Sequence, residues 1–174
     1  LLGSIEAGHP LQALRPAQPC AAGQGWQWDG VRFELLHPPQ DMLDAAPGAR
    51  APKPNALSCV LRITAADGGA ALLVGDIERA QEQALVTAGA SLAADLLLVP
   101  HHGSKTSSSE AFIDAVGPRM ALVQTGYRNR FGHPAPEVAA RYAQRGIALV
   151  QTPQCGAARW ASGQPQDMHC ERES

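Results

Sequence analysis

Residues 95–104 read Asp-Leu-Leu-Leu-Val-Pro-His-His-Gly-Ser, and this stretch decides the fold. The apolar run 96–99 predicts a strand that is buried on both faces, as in a parallel sheet. Pro100 ends the strand, and two imidazoles follow at its carboxyl end. In layered α/β folds, ligands bind at the carboxyl ends of strands. We therefore expect His101 and His102 to lie in a functional site.

A second buried strand carries a carboxylate in the equivalent position. Residues 70–74 contain no polar side chain, and Gly75 and Asp76 follow them. A carboxylate and imidazoles held on neighbouring strand ends suit Zn²⁺, Mn²⁺ or Fe²⁺. The spacing leaves two other interpretations open. Asp76 is placed to cap the helix after it, and the paired histidines are placed to be turn residues.

The remaining pattern predicts a mixed α/β domain. Strands paired by hairpins come first, beginning at the Asp29-Gly30 turn, and alternating strands and helices follow. Ser107 and Glu110 have the spacing of a capping box. We expect a frayed tail from about residue 162. The expected strands are 31–35, 58–64, 70–74, 96–99, 120–124 and 147–151, and the expected helices are 78–87, 108–116 and 136–144.

The composition excludes several classes of protein. The 174 residues are 45% apolar and 17% charged with a net charge of −2, which is typical neither of disorder nor of a coiled coil. No segment approaches the ~20 apolar residues of a membrane-spanning helix. The near-neutral charge argues against binding nucleic acid by bulk electrostatics alone. A local cleft that binds phosphate remains compatible with it.

The four cysteines lack the spacing of a zinc site. They are Cys20, Cys59, Cys155 and Cys170. We expect Cys59 to be a small core residue of a strand and the others to be incidental, with one bridge if the domain lies outside the cytosol.

Residues 126–134, Gly-Tyr-Arg-Asn-Arg-Phe-Gly-His-Pro, form a second candidate site. Arg128, Asn129 and Arg130 are suited to binding a phosphodiester, since the guanidinium fork matches phosphate oxygens. His133 is suited to hydrogen-bonding a phosphate oxygen or protonating a leaving group. An ordinary exposed basic loop is the alternative.

A third candidate is the hydroxyl-rich segment 104–109, in which Ser104 and Lys105 are suited to binding an anionic substrate. For residues 107–109 we favour caps and turn residues. The sequence contains no Gly-x-Ser-x-Gly elbow and no phosphate-binding P-loop, so we expect no cofactor nucleotide.

Three motifs together resemble one known family. They are Asn-Ala-Leu-Ser-Cys-Val-Leu-Arg at 55–62 with Leu-Leu-Val-Gly-Asp-Ile-Glu at 72–78, the stretch 95–104, and Asn-Arg-Phe-Gly-His-Pro at 129–134. In this order they closely resemble the metallo-β-lactamase-like C-terminal domain of the ComEC family, the DNA-uptake channel proteins of natural competence. The resemblance covers nearly the whole chain and is weakest over the first 25 residues and the last dozen.

The resemblance implies the C-terminal part of an αββα sandwich, in which two sheets pack face to face between helices. It also implies a hydrolase with two divalent metals, Zn or Mn, in which a metal-activated water attacks a phosphodiester. Asp76 matches the carboxylate that bridges the metals, and His133 joins it as a catalytic candidate. Of the histidine pair that matches the last ligand motif, we favour His101, with His102 as its close rival.

The resemblance further implies a setting. The parent protein would be a channel in the bacterial inner membrane, with this domain on the periplasmic side. The substrate would be DNA, as a single strand or a duplex end, and the enzyme would degrade the strand that is not imported. The channel part of the parent would be its partner.

The sequence departs from the family in its metal ligands. The His-x-His-x-Asp-His motif, or its Thr-His-x-Asp-x-Asp-His form, does not occur in the 174 residues, and His37 is a poor substitute for the next ligand. We therefore expect residues 1–174 to be a partial domain, inactive in isolation, with doubtful metal occupancy. Two alternatives remain: a non-catalytic interaction module, and a metallo-hydrolase of a small ester or thioester.

Overall fold

The computed structural model describes residues 2–4, 9–44 and 52–172, which form a mixed α/β fold around one seven-stranded sheet. Single-turn 3₁₀ helices span Pro54–Leu57 and Pro100–Gly103. The helices are α1 (Leu11–Leu14), α2 (Gln40–Leu43), α3 (Arg79–Thr87), α4 (Glu110–Val116), α5 (Pro136–Gln144) and α6 (Thr152–Cys155). The strands are β1 (Leu2–Gly3), β2 (Gln18–Pro19), β3 (Gly25–Trp28), β4 (Val31–His37), β5 (Val60–Thr64), β6 (Ala70–Leu73), β7 (Leu96–Leu98), β8 (Met120–Val123), β9 (Ala148–Gln151), β10 (Ala158–Trp160) and β11 (Met168–Cys170).

The large sheet has the strand order β3-β4-β5-β6-β7-β8-β9. Strands β3 to β6 are antiparallel neighbours, and β6 to β9 are parallel neighbours. Asp29 and Gly30 connect β3 to β4, where Trp28 pairs with Val31. The prediction of hairpins followed by alternating strands and helices is therefore confirmed.

One face of the sheet and the helices α3, α4 and α5 enclose the main core. Inward-facing strand residues such as Leu72 and Leu97 are fully buried against Phe112 of α4 and Tyr142 of α5. Burying one such large apolar side chain contributes about 1.5–3 kcal/mol. This core holds the carboxyl ends of β6, β7 and β8 in a fixed relation, because all three strands contribute to it.

The opposite face of the sheet carries a smaller apolar cluster. Ala71, Leu96 and Met120 are buried there, and Trp160 and Met168 of the β10–β11 hairpin pack against them. A sandwich of the expected kind needs a second large sheet on this face. The residues that the structure describes form one large sheet and the two-stranded pairs β1–β2 and β10–β11, so the αββα sandwich stays a prediction.

Two expectations from the sequence are wrong: one concerns the start of a helix and the other the C-terminal tail. The capping box lies at α3, where Glu78 and Gln81 exchange bonds, and not at Ser107. The Ser107 hydroxyl instead donates to the carbonyls of Pro100 and Ser104, and α4 begins at residue 110. The tail after residue 162 contains the paired strand β11, so it is not frayed throughout.

The cysteines form two disulfides, Cys20–Cys59 and Cys155–Cys170, with Cα atoms 5.9 and 4.6 Å apart. The expectation that Cys59 is an unpaired core residue is wrong. Pairing partners 39 and 15 residues apart leave no local signature in the sequence, because connectivity depends on the fold.

Candidate functional site

The site lies where three neighbouring parallel strands end. Gly75 and Asp76 follow β6, the histidine turn follows β7, and the loop 124–135 follows β8. The amide of His101 donates to the Gly75 carbonyl at 3.0 Å, and the amide of Ala135 donates to the Gly103 carbonyl at 2.8 Å. Backbone hydrogen bonds therefore join all three loops.

The histidine turn has a strained backbone. His101 and His102 have φ values of 47° and 57°, in the left-handed region that costs a non-glycine residue roughly 1–2 kcal/mol. Gly103 continues this conformation at φ 75°, and a Cβ there would meet the Cβ of Pro134 at 2.6 Å. Glycine thus allows the turn to pack directly on the loop after β8. Strain of this kind persists where the surrounding structure imposes it, commonly at functional sites.

Asp76 is oriented by Ser58, which lies just before β5. The Asp76 amide donates to the Ser58 hydroxyl at 3.1 Å, and Gly75 permits this close approach. The interpretation of Asp76 as a helix cap is wrong, because Glu78 is the N-cap of α3. The Asp76 carboxylate instead faces His102, with 3.4 Å between Oδ1 and Nε2.

His102 has the bonding pattern of a metal-binding imidazole. Its Nδ1 lies 2.7 Å from the carbonyl of Gln124, which can only accept a hydrogen bond. In the neutral ring Nδ1 therefore carries the proton, and Nε2 presents a lone pair toward Asp76. Ligating histidines are commonly held in this way through their other nitrogen. Two electron-pair donors that face each other suit a cation between them.

His101 has partners at both ring nitrogens. Nε2 lies 3.4 Å from the side-chain nitrogen of Asn55, and Nδ1 lies 3.4 Å from both Glu78 and Thr106. From the family resemblance we expect His101 to be the ligand. The contacts favour His102 instead, because a backbone carbonyl holds its Nδ1 and leaves Nε2 facing Asp76, whereas side chains contact both ring nitrogens of His101.

The described residues fit only part of a metal site. Within the described ranges, no group of three or more His, Cys, Asp and Glu side chains is arranged to hold a metal ion. Catalytic zinc usually has three protein ligands. Asp76 and His102 supply two donors, so a complete site needs further ligands. His37 does not fill this role, because it is 2% exposed and its Nδ1 contacts the Ser58 carbonyl.

His133 lies close to the histidine pair, and its pKa is lowered from the ordinary value. Burial lowers its pKa, and the nearby His101 and His102 lower it further. Asn129 holds it in position, since the Asn129 side chain accepts from the His133 amide at 2.8 Å and donates to its carbonyl at 2.7 Å. Of the predicted loop residues, His133 therefore lies at the site, and Asn129 holds His133 in position through hydrogen bonds.

The two arginines of the loop stack on aromatic rings. The Arg128 guanidinium lies 5.2 Å from the ring centre of Tyr127, and the Arg130 guanidinium lies 4.9 Å from that of Phe131. The Phe131 ring in turn stacks on His133, with centroids 5.8 Å apart. Both cations remain exposed beside the site.

The two predicted substrate-binding residues Ser104 and Lys105 have different environments. Ser104 is 9% exposed, and its hydroxyl lies 3.2 Å from that of Thr106, so it braces the turn. Lys105 is exposed, with Nζ 3.7 Å from Glu137. It lines a cavity of about 640 Å³ together with Lys53 and Arg79.

This cavity lies beside His101, and a second cavity lies beside His102. Asn55 and Thr106, which contact His101, line the basic cavity. His102 lines the other cavity, of about 450 Å³, together with Phe131 and His133 of the loop.

Known proteins resemble this chain along most of its length. The "Competence protein ComA" of Neisseria gonorrhoeae is 42% identical over 163 residues, which are 92% of this chain and 22% of that protein. The "Recombination protein 2" of Haemophilus influenzae is 33% identical over 80% of this chain and 16% of its own length. The chain belongs to the ComEC-like family of competence proteins. The "Uncharacterized protein YcaI" of Escherichia coli is 38% identical over 80% of this chain and 17% of its own length.

The chain spans about a fifth of the length of these competence proteins and their relative. No family model matches the chain. Among the described residues, none of the helices is both long and apolar enough to cross a membrane.

Several residues of the site are missed by the interpretation of single motifs. Asn55, Ser58 and Gln124 each hold a ligand candidate through a contact between residues 18 to 46 positions apart. Asn55 and Ser58 stand inside the motif 55–62 that resembles the competence family, and this was the one available signal for them. Gln124 acts through its backbone carbonyl, so its residue type carries no signal.

Proposed function

We propose that this chain contributes to a metal-dependent phosphodiesterase that hydrolyses DNA during uptake by a competence system. The observation that carries the proposal is the pair Asp76 and His102, whose electron-pair donors face each other at 3.4 Å while a backbone carbonyl holds the far side of the imidazole. The family membership supports the setting, because the related proteins are named for competence and recombination.

Asp76 and His102 would be two ligands of a divalent metal, Zn or Mn. When bound, the metal would supply positive charge for a developing phosphorane and lower the pKa of a water molecule. Other residues of the chain would orient these ligands and contact the substrate. Ser58 and Gln124 orient the two ligands, and His133 is suited to hydrogen-bonding a phosphate oxygen through a ring N–H or, in its protonated form, to passing a proton to the leaving oxygen.

A phosphodiester suits this surface better than a small ester. The exposed cations Arg128 and Arg130 lie on the loop that carries His133, and Lys53, Arg79 and Lys105 line the cavity beside His101 together with Glu78. A formal net charge of −2 with cations gathered at one site fits local phosphate binding. The ester alternative has no such need for flanking positive charge.

The disulfides support a location outside the cytosol, on the periplasmic side of a bacterial inner membrane. Cys20–Cys59 and Cys155–Cys170 use all four cysteines of the sequence. Disulfides persist in oxidising compartments and are rare in the cytosol. The channel part of a ComEC-like parent would then deliver the DNA as this domain's neighbour.

The test is cleavage of labelled DNA by the native protein that carries this sequence, with Mn²⁺ or Zn²⁺. We expect Asp76→Ala to abolish cleavage and Asp67→Ala, in the turn between β5 and β6 at the far end of the sheet, to retain it. The 174-residue chain alone should be inactive, because its described residues supply two ligands. Undiminished cleavage by Asp76→Ala would refute the proposal.

A further inference from the structure

The chain segment that carries Gln124 extends past the end of the pairing between β8 and β9. Among the described residues, this register ends at Val123 and Gln151, and Thr152 then begins the single-turn helix α6. The next residue whose backbone faces β9 is Thr125, which lies beyond the last strand pair. A backbone amide and carbonyl in a partly buried place need hydrogen-bond partners, so another group has to supply them.

The Thr152 side chain supplies both partners. Its hydroxyl accepts a hydrogen bond from the Thr125 amide at 2.9 Å and donates one to the Thr125 carbonyl at 2.9 Å. A hydroxyl suits this arrangement, because it is a donor and an acceptor at once. Thr152 thereby continues the ladder between β8 and β9 by one residue.

One peptide bond connects this hydroxyl to His102. The Gln124 carbonyl and the Thr125 amide belong to the same planar unit, and in a trans peptide they point in opposite directions. The amide is bonded to Thr152 on the side of β9, and the carbonyl lies 2.7 Å from His102 Nδ1 on the side of β7. The Leu122 carbonyl also faces β7, since it accepts from the amide that follows that strand. Rotation of the peptide plane would therefore break both hydrogen bonds together.

The helix α6 is anchored by contacts away from the candidate metal ligands. Cys155, its last residue, forms a disulfide with Cys170 of β11. The Arg172 amide donates to the Cys155 carbonyl at 3.0 Å, and the Arg172 guanidinium donates to the Pro153 carbonyl at 3.0 Å. The position of Thr152 is therefore set independently of Asp76 and the histidine turn.

Building on the proposed function, we infer that Thr152 is a positioning residue of the metal site. Its hydroxyl fixes the peptide plane between Gln124 and Thr125. This plane holds the His102 proton on Nδ1 and leaves the Nε2 lone pair directed at Asp76. Groups that hold a ligating histidine through its other nitrogen typically change metal affinity by roughly 10–100-fold. In this role Thr152 acts through His102 and does not contact the metal.

Titration calorimetry with Mn²⁺ on the native protein that carries this sequence tests this role. Thr152→Val keeps the shape of the side chain but removes the hydroxyl, so we expect it to weaken Mn²⁺ binding by about tenfold. Thr152→Ser keeps the hydroxyl and should bind Mn²⁺ as the wild type does. Thr87→Val is the matched control, because it makes the same change at an exposed position of α3 and should leave the affinity unchanged.

A second measurement distinguishes positioning from a general disturbance of the fold. In the His102→Ala background, Thr152→Val should weaken Mn²⁺ binding no further, because its effect passes through the His102 ring. A variant that disturbs the fold would still weaken binding in that background. Thr152→Ala removes the same hydroxyl without placing a valine at the start of α6, and it should give the same pair of results.

The outcomes separate this inference from the proposed function. The positioning role would be overturned by wild-type affinity in both Thr152→Val and Thr152→Ala, by a loss in Thr152→Ser as large as that in Thr152→Val, or by an equal loss with and without the His102 ring. In each of these cases, a loss of affinity on His102→Ala would leave the proposed metal site standing. Wild-type affinity in His102→Ala would overturn both proposals, because the imidazole would then not be a ligand.

Discussion

Replacing Glu82 in α3 should destabilise the fold strongly. Its carboxylate is fully buried and accepts two backbone hydrogen bonds, from Ser108 at 2.5 Å and from Ser109 at 2.8 Å. These amides precede the first turn of α4, where an ionised carboxylate is favourable. Glu82 thereby fixes the segment that connects the histidine turn to α4.

The size of the effect follows from these contacts. A hydrogen bond to a charged group contributes about 1.5–3 kcal/mol, so the two together are worth about 3–6 kcal/mol. Glu82→Ala removes both and leaves two amides unpaired. Glu82→Gln keeps one acceptor oxygen but directs an NH₂ group at the other amide, so we expect about half the loss.

Urea unfolding followed by circular dichroism measures this loss. Gln83→Ala is the control, since Gln83 is exposed on the same helix and its loss should cost less than about 0.5 kcal/mol. A loss below about 1 kcal/mol for Glu82→Ala would show that the two hydrogen bonds do not have the strength assigned to them.

Three further predictions concern the frame of the site. Burial lowers the pKa of His37 against the opposing effect of the Ser58 carbonyl, so the unfolded chain binds the proton more readily and stability falls as the pH drops below 6.5. His37→Gln should reduce the dependence of the unfolding free energy on pH by up to about 1.4 kcal/mol per pH unit. The control His169→Gln, at an exposed position, should leave this dependence unchanged. If urea unfolding at several pH values gives the same pH dependence for His37→Gln and the wild type, the prediction is wrong. Gly103→Ala should cost about 2–4 kcal/mol in the same assay, because a Cβ would collide with the loop after β8 at a positive φ; an unchanged midpoint would refute the packing. Opening the Cys20–Cys59 disulfide by Cys59→Ser should cost about 4 kcal/mol for its 39-residue separation, and a dithiothreitol-insensitive midpoint in the wild type would argue against the bond.

Local patterns in the sequence predict the position of the site. Unbroken apolar runs followed by Gly75-Asp76 or by the histidine pair indicate buried strands with polar residues at their carboxyl ends. The structure has β6 and β7 at these runs, side by side and parallel, so the two features meet at one edge. The position of the site is predictable because the burial of a strand and the point where it ends both depend on residues that are adjacent in the sequence.

The orientation of the site was not predictable in the same way. His101 and His102 are identical side chains in adjacent positions, and only their partners distinguish them. The Gln124 carbonyl holds one ring, and Asn55 and Glu78 contact the other. These partners come from other loops, so their contacts depend on the tertiary fold. The same holds for Glu82, which a helix pattern alone assigns to the surface.

The Mn²⁺ affinity of the native protein that carries this sequence, measured by titration calorimetry, tests whether Asp76 and His102 bind one cation. We predict that Asp76→Ala and His102→Ala each weaken Mn²⁺ binding by about tenfold or more, that the double variant loses less than the product of the two, and that His101→Ala weakens binding less. A loss of affinity on His101→Ala with none on His102→Ala would contradict the convergence of Asp76 and His102 on one cation.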